Sequence, residues 1–593
     1  MKHYLLTGLL LSLVFFSFAQ NPSGTSPTIS SGQPENNGIF GSSGEIHGNF
    51  QSDFQYYFRD TEIDPEGDFF PDERFLAAGF TNLVYTNGDF EAGLRYENYQ
   101  NNLLGLPEGF RGQGIPFRYA RFKKDGLDIT VGNYYEQFGS GMLLRAFEER
   151  GLGLDNALDG VRLRYSPVKG LYLKGIVGRQ RLYFETTEGI VRGGDAELNL
   201  NEAFSGLSKS SWLITTGASF VGKYEQANDP FLDLPENVGA YGGRFLLQNG
   251  GFAWSTEGVY KINDPSADND FIFKSGNGLL STLTYSRPRL GIMASFKRLD
   301  DMSFRSQRNA GLIDAQINFL PPTTKLHTYT LPALYPYAVQ PTGEIARQLE
   351  LTYTFKRKSL LGGRYGTTVA INFSDAYSLN KTLLDERVVG ERPDGTPITT
   401  PSGTRGYTSD FFTPGPIQYF QDINIELKKT LNRKWKATLS YFNFQYNQEV
   451  LERGVSAREI LSREGGANSQ ELLYINAAVV ELLYKIKPRH SLRMEFQGMF
   501  LRDRDDRGDW AMALFEYSVS PKWFFAIQNS YNYGNPDRER RSLYPLGSVG
   551  FTLKTTRFQL NYGRQMEGIF CVGGICRVVP PSNGVTLTVT SNF

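Results

Sequence analysis

Histidine and cysteine are scarce in this sequence, with 4 His and 2 Cys among 593 residues. Beyond the N-terminal segment the histidines are His47, His327 and His490. No Ser-His-Asp or Cys-His arrangement can be placed around them, so no catalytic residue is assigned and an enzyme is not expected. No further Cys or His stands at ligand spacing from Cys571 and Cys576, so neither a metal site nor a cofactor is expected. Net charge is lacking as well: 62 Lys and Arg offset 62 Asp and Glu. Without a basic surplus, a dedicated nucleic-acid binder is excluded. Long apolar runs are missing after the first 19 residues, and the mean hydropathy of −0.36 excludes a polytopic helical membrane protein.

Aromatic residues are abundant instead: 44 Phe, 33 Tyr and 5 Trp, 14% of the chain. So much Phe and Tyr in so polar a chain is unusual for a soluble enzyme. The N-terminus indicates export. Lys2 and His3 precede an apolar core from Leu5 to Phe18, and Ser17-Phe18-Ala19 suits cleavage before Gln20. Residues 1–19 are therefore expected to be a cleaved signal peptide. Residues 20–44, rich in Ser, Gly, Pro and Asn, are expected to form a flexible periplasmic tail.

From Glu45 onward the pattern has a period of two. Phe90, Ala92, Leu94 and Tyr96 oppose Glu91, Arg95 and Glu97. Val161, Leu163 and Tyr165 oppose Arg162 and Arg164, and Leu349, Leu351 and Tyr353 oppose Glu350 and Thr352. Side chains alternate faces along a strand, so each such segment has one apolar and one polar face. A soluble sandwich and a membrane barrel both show this alternation. The barrel is favoured by strands often ten or more residues long, by the mixed charges of the polar faces, and by connections that alternate between short and long. Short turns such as Asn87-Gly88, Lys124-Asp125-Gly126 and Pro521-Lys522 are separated by longer polar connections, among them 138–158, 299–345, 375–415 and 565–583. Eleven or so short turns, with one strand left at each end, imply about 24 strands. The stretch 182–211 divides least clearly, leaving roughly 22 to 26 open. The expected fold is all-β: a transmembrane, antiparallel outer-membrane β-barrel over residues 45–593, with short periplasmic turns and long extracellular loops. Phe593, ending an alternating last strand, is the kind of residue that the barrel assembly machinery reads.

Two motifs add a resemblance. Gly132-Asn133-Tyr134-Tyr135-Glu136-Gln137-Phe138-Gly139-Ser140-Gly141, continuing to Gly153-Leu154-Asp155-Asn156, is one, and Cys571-Val572-Gly573-Gly574-Ile575-Cys576-Arg577 is the other. Together they resemble an uncharacterised family of Bacteroidota outer-membrane proteins, the domain of unknown function numbered 6029. The resemblance implies an outer-membrane β-barrel over most of the mature chain and no established activity.

The candidate residues fall in three groups. Val572-Gly573-Gly574-Ile575 can form a tight turn that sets Cys571 opposite Cys576, so a disulfide is expected there. Arg95, Arg162, Arg164, Glu350, Lys356, Arg493 and Glu495 lie on polar faces and are expected to line the lumen. Arg145, Glu148, Glu149 and Arg150 could form a charged cluster folded into the lumen as a constriction or partner-binding element, but structural ion pairing in a long loop is the favoured reading. The acidic loops, such as that with Asp264 and Asp268, match no calcium-loop spacing. A barrel this wide needs folded-in loops or a partner to restrict it. The expected function is a porin-like channel for small polar solutes in the cell outer membrane, with mixed signs giving weak charge selectivity. The alternative is a non-conducting binding or scaffold barrel within an outer-membrane protein complex. Outer-membrane lipids and lipopolysaccharide, the assembly machinery and other outer-membrane proteins are the expected partners.

Overall fold

The computed structural model describes residues 44–101, 103–311, 313–391, 397–502 and 506–593. The segment expected to be a signal peptide, and the tail expected to follow it as far as Ser43, lie outside the described residues.

Twenty-four strands form one antiparallel sheet. The sheet closes on itself because the first strand, Glu45–Tyr57, pairs with the last, Ser582–Asn592, setting Phe54 opposite Leu587. Phe593 completes the seam: its N–H donates to the Gly48 carbonyl at 3.0 Å, and the Gly48 N–H donates to the Phe593 carbonyl at 2.9 Å. Closure leaves no open sheet edge at the seam, which a membrane requires. The fold is thus a closed 24-stranded β-barrel of the outer-membrane type.

The alternation decides which face is which. Directly paired residues share a face, so Leu349, Phe373, Ile423 and their neighbours on one side of the sheet form a continuous surface. That surface is exposed: Leu349 is 51% exposed and Ile371 39%. The interleaved Asn372, Ser374 and Asp422 are fully buried. Apolar outside and polar inside is the reverse of a soluble sandwich and the pattern of a barrel in lipid.

The tight turns lie at one end. In the turn between Gly112–Lys124 and Leu127–Tyr134, Asp125 (φ 50°) and Gly126 (φ 80°) take the left-handed conformations that a type I′ hairpin requires. The alternation of short and long connections is not strict: the turn-end link 356–366 is as long as several links at the other end, and the pattern reverses around strand Glu185–Asn199. Strands Leu171–Leu182 and Glu185–Asn199 are joined at the long-loop end by Tyr183 and Phe184 alone. At the turn end, Asn199 and Leu213 are separated by a longer link that contains the single helical turn Leu200–Ala203. Arg-Leu-Tyr-Phe-Glu carries no Gly, Pro, Asn or Asp to mark a turn. Tertiary contacts hold it instead: Tyr183 sits at φ 58° with its ring 4.9 Å from Phe110, and Phe184 packs edge-on to Tyr99.

Leu349→Arg, on the lipid-facing surface, is expected to destabilise the folded barrel by about 2–4 kcal/mol, while inward-facing Glu350→Gln changes little. Denaturant unfolding in lipid vesicles checks both.

Candidate functional site: a plug folded into the barrel

Strand Leu127–Tyr134 has only 8 residues. Above Tyr134 the chain leaves the wall, and it rejoins at Leu158, which pairs directly with Tyr134. Residues 135–157 between them turn inward, and Phe138, Met142, Leu143, Leu144 and Ala157 become almost fully buried. Gly141 (φ 100°) permits the reversal, where any Cβ would also crowd Arg145 and Phe319. A second segment, 301–342, and a third, 566–581, join the first.

The segments are laced by backbone hydrogen bonds as well as by side chains. Arg145 N–H donates to the Ile317 carbonyl, and Phe319 N–H to the Gly141 carbonyl, both at 2.9 Å. Asn318 Nδ2 donates to the carbonyls of Met302 and Met142. In the third segment, Gly568–Val572 and Ile575–Val579 form a hairpin with Cys571 directly opposite Cys576, and the two are joined by a disulfide with Cα atoms 4.1 Å apart. Gly573 and Gly574 both have positive φ, as the tight turn demands. The tip docks on the second segment: Val339 N–H donates to the Gly574 carbonyl, and a Cβ on Gly573 would meet the Phe319 ring. Arg577 clamps the hairpin's base to the carbonyls of Gly151 and Gly105.

Two apolar cores weld this assembly to the wall. In one, Phe138, Met142, Leu143, Phe304 and Ile317 pack against Val191, Val221, Val238 and Val259. In the other, Leu331, Leu334, Tyr335 and Tyr337 pack against Phe442, Phe444, Tyr446, Ile475, Met499 and Trp510. Each large apolar side chain so buried contributes about 1.5–3 kcal/mol. The lumen is therefore not uniformly polar, as alternation had suggested. Toward the long-loop end its lining turns apolar where the plug covers it.

Buried ion pairs fix the plug's position. Arg95, on the inner face, reaches Glu148 at 3.0 Å and Asp155 at 3.1 Å, both on the first segment, and Glu97 at 3.2 Å on its own strand. Arg181 closes the ring, 2.6 Å from Glu97 and 2.5 Å from Asp155. Desolvation opposes ionisation of Glu148, but Arg95 and Arg150 outweigh it and lower its pKa. At Asp155 desolvation prevails over Arg181 and Arg95, and the pKa is raised. Arg164 and Lys174 hold Glu136 at the root of the segment, and Arg162 binds Asp128 and Thr130 beside it. On another part of the wall, Arg493 pairs with Glu481, Glu495 and Glu516. Glu495 accepts from Gln497, whose Oε1 accepts the Leu331 N–H of the plug. His327 Nε2 lies 2.9 Å from Asp422.

The residues expected to act together are thus only partly brought together. Glu148 and Arg150 pair at 2.5 Å and join Arg95. Arg150 also lies over the Phe80 ring. Glu149 accepts the Gly151 N–H and caps a short 3-10 turn. Arg145 sits between two rings, 4.3 Å from Phe147 and 4.1 Å from Phe319, so its contacts are aromatic more than ionic. Glu350 is half-buried on the inner wall, while Lys356 is exposed at a turn and does not line the lumen as expected. Glu97, Asp155, Arg181, Gln497 and Asp422 were not anticipated as partners. Of the acidic loops, Asp264 pairs with Lys223 and Asp268 with Arg305.

These features define a transmembrane β-barrel with a plug made from its own loops. The chain belongs to a family of unknown function, DUF6029, whose model matches residues 1–593. No curated protein sequence matches it. Among solved structures, it is similar to the P pilus usher (PapC) translocation pore at 8% identity and TM-score 0.40, over 92% of this chain and 99% of that one. It is similar to the siderophore receptor PirA from Pseudomonas aeruginosa at 10% identity and TM-score 0.39, over 93% and 81%. A BenF-like porin from Pseudomonas fluorescens Pf-5 is similar at 9% identity and TM-score 0.32, over 82% and 97%.

Arg181→Ala leaves Glu97 and Asp155 short of a cation, and is expected to cost about 3–5 kcal/mol in plug packing. The barrel should still show heat-modifiable gel mobility, while limited proteolysis within 135–157 and 301–342 becomes much faster than in the wild type.

Proposed function

We propose that the chain is an integral outer-membrane barrel whose own loops occlude its lumen, serving as a non-conducting binding or scaffold barrel in an outer-membrane protein complex. The observation that carries this reading is the reach of segment 301–342. One part shares an apolar core with strands from Leu158–Val168 to Leu290–Asp300, and another shares a core with strands from Gly343–Phe355 to Trp510–Val519. A segment held in this way resembles a core more than a gate. The reading includes export through a cleaved signal peptide, assembly directed by Phe593, lipopolysaccharide against the outer apolar band, and no catalytic role.

A second reading, a porin-like channel for small polar solutes, is favoured by the polar inner face toward the turn end. There Arg121 pairs with Asp128, and Arg493 with its three glutamates. On that reading the plug must shift before solute can pass. Purified protein in planar bilayers separates the two. The occluded barrel predicts silence from the wild type and stable conductance steps once residues 306–338 are replaced by a short linker. Stable open steps from the wild type would assign the channel instead.

A further inference from the structure

The end of the barrel that bears the short turns is electrically divided. Going round it from strand Leu290–Asp300, six consecutive turns carry Arg or Lys between their strands and no Asp or Glu: those at 288–289, 356–366, 431–434, 488–489, 520–522 and 554–555. The other five turns carry Asp89, Asp125 and Glu202 against Lys169 and Lys209, and the last of them has no charge. A chain whose formal charge is zero thus has, in one sector, turns with cations and no acids, while the cations of the other sector, Lys123, Lys124, Lys169 and Lys209, stand among Asp89, Asp125 and Glu202. Arg357, Lys358, Arg433, Lys434 and Lys522 are all exposed.

Two further observations in that sector concern its surroundings. Immediately above the cations, on the outward face, stand Trp435 stacked on Tyr484 at 4.5 Å, and Trp523 against Phe551 at 4.4 Å. Paired aromatics of this kind mark the level where hydrocarbon gives way to headgroups. The 356–366 turn is a compact knob, held by Lys358 N–H to the Gly363 carbonyl and Gly363 N–H to the Ser359 carbonyl. It presents Leu360, 99% exposed, and Leu361 between Arg357, Lys358 and Arg364. Cations just beyond an aromatic belt, with apolar side chains among them, meet phosphate and acyl chain together.

We propose that this sector binds anionic phospholipid headgroups of the leaflet facing the turn end, so that the barrel gathers such lipids along one side only. This rests on the membrane-spanning reading of the fold and is independent of whether the plug conducts. The continuity with the aromatic belt favours lipid over a soluble acidic protein, which would need no such belt beside it.

The tryptophans provide the test. Trp212 and Trp254 stand at the turn end of the other sector, and Trp510 is buried inside. A W212F/W254F variant therefore reports the basic sector through Trp435 and Trp523, and a W435F/W523F variant reports the other. Both are reconstituted in phosphatidylethanolamine vesicles containing a minor fraction of brominated phosphatidylglycerol or, separately, brominated phosphatidylethanolamine. The proposal predicts that phosphatidylglycerol quenches the first variant at least about twofold more strongly at low salt. The excess should vanish in high salt and on adding R357E, K358E and K434E, with heat-modifiable mobility confirming that this protein is folded. The second variant should show no preference. Equal quenching of the first variant by both lipids would overturn the proposal. Equal quenching accompanied by salt-sensitive binding of soluble polyglutamate would overturn it in favour of an acidic protein partner.

Discussion

A sheet of 24 strands closed on itself encloses far more space than its inward side chains can fill. The rest of this structure is an answer to that constraint. The wall needs only alternate residues to be apolar, so the chain can be polar on average and still cross a membrane. The interior must then be either water or protein. Here three connecting segments turn inward, and the wall changes character to receive them, becoming apolar at Phe442, Phe444 and Ile475 while staying charged at Arg493 and Glu495.

The division of labour inside follows from the energetics. Apolar contact supplies most of the gain from folding the plug, because burial of each Phe, Met or Leu is favourable without a partner of fixed geometry. The ion pairs add little net stability, since desolvating two charges offsets much of their attraction. What they provide is position. Arg95 and Arg181 donate to Glu97, Glu148 and Asp155, and a misplaced segment would leave a buried charge unpaired. The disulfide hairpin acts as a wedge between the first two segments, contacting Gly151 on one side and Val339 on the other.

Much of the wall was legible in the sequence, since period two is a local property and each strand carries it. The strand number, the inward placement of Arg95, Arg162, Arg164, Glu350 and Arg493, and the Cys571–Cys576 pairing all rest on spacing within a few residues. The Tyr183–Phe184 turn was not legible, because contacts with Phe110 and Tyr99 hold it in place of turn chemistry. Nor was the route of 301–342. Its partners Gln497 and Asp422 lie 166 and 95 residues away in sequence, and no periodicity marks such a meeting. Arg145 shows the same limit at one residue: the charges near it suggested ion pairing, while the rings that hold it come from Phe147 and the distant Phe319.

The long connections 135–157, 301–342 and 566–581 form a packed interior and not solvated extracellular loops. Hydrogen–deuterium exchange on the reconstituted barrel tests this most directly at the amides of Arg145, Ile317, Phe319 and Val339, which donate to backbone carbonyls inside the plug. A packed plug predicts that these amides exchange on the timescale of the wall strands, hours or longer. Exchange within seconds, as for an open loop, would contradict it.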